Sequence, residues 1–145
     1  MSLVSVLPYF RECLCSLDYE EWVTELDSEV PPSTIIEKSF RLEIGNIIAN
    51  PARHTTFNFV FPVQLDLYFK TYRDQSEGTD CALETIEEVL CCLLAAERRY
   101  GSDLKSISPS SIVFEAIADS NDNVMKAIID FDVNLEIEYR DRLPE

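Results

Sequence analysis

The chain predicts an α+β domain: a mainly antiparallel or mixed four-stranded sheet packed by two helices, in the order α-β-β-α-β-β. Three stretches carry that expectation. IIDFDVNLEIEYRD, residues 128–141, alternates strictly. Ile129, Phe131, Val133, Leu135, Ile137 and Tyr139 fall on one face of a strand, and Asp130, Asp132, Asn134, Glu136, Glu138 and Arg140 on the other. TTFNFVFPVQLDLYFKTYRD, residues 55–74, alternates over a longer run, with Phe57, Phe59, Phe61, Val63, Leu65, Leu67 and Phe69 together. TDCALETIEEVLCCLLAAERRYG, residues 79–101, repeats its apolar residues at helical spacing instead. Ala82, Ile86, Val89, Leu90, Leu93 and Leu94 make a stripe wide enough to lie on a sheet.

The other elements follow in chain order. Leu3, Val6, Leu7, Phe10, Leu14 and Leu17 recur every three or four residues, which predicts an N-terminal helix over 3–17 with Pro8 in its first turn. Residues 18–38 read as an acidic connector, because Pro31-Pro32 continues neither a helix nor a central strand. Trp22, the only tryptophan, either anchors that connector to the domain or contacts a partner, where Trp is enriched. SFRLEIGN, residues 39–46, alternates as a strand, and IIANPARHTT after it reads as a loop around the turn dipeptide Asn50-Pro51, with Arg53 and His54 as its basic side chains. Pro62 removes an N–H from the long strand and predicts an edge or a bulge there. Thr79 or Asp80 can cap the second helix, whose last turn holds Arg98 and Arg99 beside Gly101. A strand over 111–118, a hairpin turn at DSNDN (119–123) and the final strand complete the chain.

The length suits a single domain over residues 1–145, able to bury about 70% of its unfolded surface. Its unusual property is charge: 12 Lys and Arg against 27 Asp and Glu leave a formal −15, which disfavours generic binding to nucleic acid or an anionic membrane. Cys13, Cys15, Cys81, Cys91 and Cys92 show no CxxC spacing and are expected as reduced, buried thiols. The stretch MSLVSVLPYFRECLC lacks a basic leader and a long apolar run and carries Arg11 and Glu12, so neither a signal peptide nor a membrane span is expected.

Catalysis needs a nucleophile with a base, a metal cluster or a phosphate cradle, and the sequence signals none of them. His54 is the only histidine and has no patterned partner; the three glycines form no loop of their own. DSNDN is the single loop whose oxygens could gather a cation, and without inward folding it is only a turn. The Phe-rich face of residues 57–69 serves either as core beneath a helix or as the wall of a ligand pocket. No catalytic residue, metal or cofactor is therefore expected. For the acidic side of 128–141 two readings stand: a solvated outer face, or a surface that repels phosphate.

The order of elements, carried by FNFVFPVQLDLYFKTYRD, IIDFDVNLEIEYRD, the helix between them and the loop NIIANPARHTT, resembles the tail terminator, or tail-completion, proteins of long-tailed bacteriophages. The resemblance spans about residues 3–141; the acidic 18–32 segment and the five cysteines fall outside it. It implies a structural virion protein without enzymatic activity, assembled in the host cytoplasm as a ring, commonly of six subunits. Such a ring caps the tail tube protein, ends its polymerisation and meets the head connector or neck protein, with no membrane partner. Genomic DNA then passes through without specific binding. On this resemblance Asp130, Asp132, Glu136 and Glu138 face the lumen, Asn50, Arg53 and His54 contact the tube or a neighbouring subunit, and Trp22 contacts a partner. The rival expectations are another phage neck or baseplate adaptor, and a small hot-dog-like or cystatin-like ligand-binding domain or enzyme with a closed apolar cavity near Phe59 and Phe61.

Overall fold

The structure, a computed structural model, describes residues 3–22, 38–52, 55–70, 75–95, 104–116 and 124–138. A 3₁₀ turn, Leu3–Ser5, leads into helix α1, Val6–Ser16. Strands β1 (Glu20–Glu21), β2 (Lys38–Ile44), β3 (Ile48–Pro51) and β4 (Thr56–Lys70) follow, then helix α2 (Gln75–Leu94) and strands β5 (Leu104–Ala116) and β6 (Val124–Glu138). They build one six-stranded sheet in the order β1-β2-β4-β6-β5, with β3 also paired to β4. This overturns the expected four-stranded sheet and the α-β-β-α-β-β order. The sheet has six strands and is mixed, because β1 runs parallel to β2 while every other pair is antiparallel.

The two unexpected strands have physical causes. β1 is two residues of the connector, too short for any alternation to show. β3 lies in the stretch expected to be a loop and prolongs β2 past a bulge. Ile44 pairs with Val63 and Ile48 with Val60, so one side of the ladder takes an extra residue. That residue reverses the parity of the side chains, and an alternation count fails at Gly45. A Cβ on Gly45 would meet Pro62 Cγ at 3.1 Å, and the Gly45 N–H donates to the Pro62 carbonyl at 3.0 Å. In an antiparallel strand a residue's N–H and C=O point the same way. The donor that Pro62 lacks is thus missing on the bulged side, which explains a proline in a strand flanked on both sides.

Both helices cover one face of the sheet. Val6, Tyr9, Phe10, Cys13 and Leu14 of α1 and Ala82, Ile86, Val89 and Leu93 of α2 join the odd-numbered residues from Phe61 to Phe69 and from Ala127 to Ile137 in one buried cluster. Phe10 meets Phe131 edge to face at 5.4 Å. The Tyr9 hydroxyl donates to the Leu93 carbonyl at 2.8 Å, supplying a partner to a carbonyl that the end of α2 leaves open. α2 begins at Gln75, a turn before the expected cap at Thr79 or Asp80, and ends at Leu94. Arg98, Arg99, Gly101, the DSNDN turn and residues 139–141 lie outside the described residues. The cysteines also depart from expectation: Cys13 is buried, but Cys81 and Cys92 are half-buried, and Cys15 and Cys91 are exposed on the outer sides of the helices.

Candidate functional site: the sheet face opposite the helices

The ladder fixes which side chains share the second face. Gln64 pairs with Asp130, Pro62 with Asp132, Val60 with Asn134, Asn58 with Glu136 and Thr56 with Glu138. On the flanking strands Glu43 pairs with Gln64, and Ser106, Ser108 and Ser111 pair with Asn134, Asp132 and Asp130. The alternation of β6 is complete: Ile129, Phe131, Val133, Leu135 and Ile137 are buried among the helices, so the intervening acids must lie on the other side.

This face divides into two halves. Near β1 it is packed and neutralised. Trp22 meets Tyr68 edge to face at 5.9 Å, the Arg41 guanidinium lies 5.1 Å from the Trp22 ring and Lys126 lies 5.6 Å from that of Tyr68. Arg41 Nη2 and Nε donate to Asp66 Oδ2 at 2.7 and 3.2 Å, and Gln64 Nε2 donates to Oδ1 at 3.0 Å, so the buried Asp66 is answered on both oxygens. Desolvation opposes the Arg41 charge, but Asp66 and Glu43 outweigh it and hold the guanidinium above its ordinary pKa. Burial raises the Tyr68 phenol, against the pull of Lys126. Trp22, expected either to anchor the connector or to contact a partner, is 5% exposed in this cluster at the start of the connector.

The other half is acidic. Asp130, Asp132, Glu136 and Glu138 gather there, bordered by Glu43, whose Oε1 lies 3.3 Å from Arg41 Nη2; the one described cation paired with the β6 acids is Lys105, whose Nζ lies 3.2 Å from Glu136 Oε2. That relief comes from β5; Arg140 lies outside the described residues. Ser111 Oγ donates to Asp130 Oδ2 at 3.1 Å and Asn134 Nδ2 to Ser106 Oγ at 3.0 Å, so the serines of β5 hold the row in place without adding charge. A shallow cleft of about 390 Å³ opens beside Glu43, Gly45, Pro62, Gln64, Asp130 and Asp132. Among the described residues no group of His, Cys, Asp and Glu could hold a metal ion, and no helix is long and apolar enough to cross a membrane.

Of the expected contact loop, Asn50 sits exposed in β3 opposite Asn58, while Arg53 and His54 lie outside the described residues. No family model matches the chain, and no curated protein matches it. Phe61 is 4% exposed in the core, and the apolar space beside it is an open groove of about 440 Å³ along Leu3, Val4, Leu7, Ile44 and Ile47. That groove was not legible in the sequence, since it forms only where the N-terminal turn meets the β2–β3 bulge.

What the acidic half can do chemically is limited and clear. Carboxylates on a rigid antiparallel ladder, spaced at about 7 Å along one strand, present hydrogen-bond acceptors and negative potential. They offer no donors to a phosphate. Two such charges repel each other by about 0.6 kcal/mol in water and by more beside a protein surface, so the row suits a wall that must not bind an anion.

Proposed function

We propose that the chain is a structural subunit of a bacteriophage tail or neck, a tail terminator-like ring that ends the tube and admits DNA through an acidic lumen. The observation that carries this reading is the segregation of the sheet's two faces. Both helices take one side, and half of the other collects Asp130, Asp132, Glu136 and Glu138 with Lys105 as counter-charge, beside Glu43, which pairs with Arg41. DNA slides past such a surface because like charges leave no phosphate-binding sites. In this reading the ring, commonly six-fold, contacts the tube protein, the head connector or neck protein and its own copies, and it performs no catalysis.

Two images test the proposal. Negative-stain micrographs of isolated tails incubated with the protein should show added density at the head-proximal end of the tube, and density at the baseplate end would support a different adaptor. A map of the assembled ring should then place the four β6 carboxylates toward the axis. Finding them on the outer wall would end the lumen assignment.

A further inference from the structure

We infer that copies of this chain join head to tail through opposite edges of the sheet, the β5 edge of one meeting the patch of Val4, Ile44, Ile47 and Ile48 on the next. The inference rests on the ring reading and names its interface. Three observations carry it. First, the strand order puts β5 at one edge and β2 with β3 toward the other. Second, six of the eight exposed large aliphatic side chains among the described residues lie at these two places, the other two being Leu83 and Leu94 on α2: Ile112 and Val113 on β5, at 41% and 55% exposure, and Val4, Ile44, Ile47 and Ile48 across the sheet, at 43% to 82%. Each edge carries one such residue per face. Ile112 and Ile44 belong to the helix side, while Val113 and Ile48 share the side of the acids. A contact that continues the sheet with Val113 opposite Ile48 therefore sets aliphatic on aliphatic on the side of the acids.

The third observation is electrical and selects the occupant. On a chain of net −15, residues 44–52 and residues 106–114 contain no charged side chain, nor do residues 1–10. Edge strands ordinarily protect themselves with charge, and β5 lacks it over that span. A second copy meets least repulsion where both surfaces are neutral, and the stretches 44–52 and 106–114 are neutral and lie at sheet edges. Because the two patches differ and sit on opposite edges, the contact is heterologous, and repetition closes a ring or extends a filament.

Charge-swap rescue tests this. Val113→Asp and Ile48→Lys each place an unpaired charge in the contact, and far-UV circular dichroism and thermal melting confirm the fold, since both positions are more than half exposed. Each single variant should raise the concentration for half-association at high salt by at least about tenfold, the equivalent of one well-placed interfacial interaction. The double variant should return to within about threefold of the parent, because each head-to-tail contact then holds one Asp and one Lys. The swapped pair, Val113→Lys with Ile48→Asp, should behave likewise and cancels any effect of net charge. If the parent forms rings and the single variants form them equally well, this contact is wrong and the ring reading stands. Weakening by Val113→Asp without rescue in the double variant indicates a face-to-face contact of β5 with itself and overturns the head-to-tail assignment. A parent that stays monomeric at every salt and concentration overturns the self-contact and leaves the patches to another protein.

Discussion

Asp66 shows how a single residue sets the boundary between the two halves of the acidic face. It is 1% exposed, and Arg41 and Gln64 supply donors to both of its oxygens. Asp66→Ala should cost about 3 kcal/mol, since removing one partner of a buried pair leaves the other uncompensated. A lowered urea midpoint at unchanged slope would register it. Tyr19 governs the alkaline limit. Burial first, then the charges of Glu88 and Cys81, push its phenol up to about 12. The folded state thus holds this proton more tightly than the unfolded chain does. The resulting stability is intact below pH 10 and is lost as pH rises from 10 through 12. Stability measured by denaturation across that window should fall, and Tyr19→Phe should flatten the slope; an unchanged slope would remove Tyr19 from the account. Asp18, at φ 68°, is the residue that ends α1. Its N–H and that of Tyr19 close on the Cys15 and Leu14 carbonyls, a left-handed cap that turns the chain toward β1.

At the scale of elements, β4, β6 and both helices were legible because each repeats one period long enough to dominate its neighbours. The acids of β6 were legible for the same reason: a strand with one face committed to Ile129, Phe131 and Val133 has no freedom in the other. What failed were places where local pattern is broken by a partner strand. The bulge opposite Pro62 hid β3, and the two residues of β1 gain strand character only from Ser39 and Phe40 beside them. For Trp22 two roles, anchor and partner contact, stayed open in the sequence because its burial depends on Tyr68 and Arg41, both distant along the chain. The acidic row itself makes a prediction about assembly. Changing Asp130, Asp132, Glu136 and Glu138 to their amides removes as much charge as changing Glu12, Glu84, Glu87 and Glu88 on the helices. Charges near a ring axis lie closer together than charges on its rim, so the β6 set should favour association at low salt more strongly. Light scattering of the two variants compares them, and an equal effect would place the row away from the axis.

For the whole molecule, the governing fact is a strong negative charge distributed unevenly. Net charge of this size opposes self-association, and six copies would carry roughly −90 before counter-ions. In the proposed ring, the uncharged edge stretches 44–52 and 106–114 and the acidic face are complementary: contact where charge is absent, and a lined channel where it is concentrated. Screening falls within about 10 Å at 0.1 M salt and within about 3 Å at 1 M, so added salt should relieve repulsion between subunits while leaving apolar contacts in place. The measurement that tests this most directly is solution mass by light scattering over a range of protein concentrations at low and high salt, with negative-stain images of the same samples. Ring-shaped particles with a central channel, favoured by salt, are expected; a dimer of unchanging mass at every salt concentration would contradict the ring.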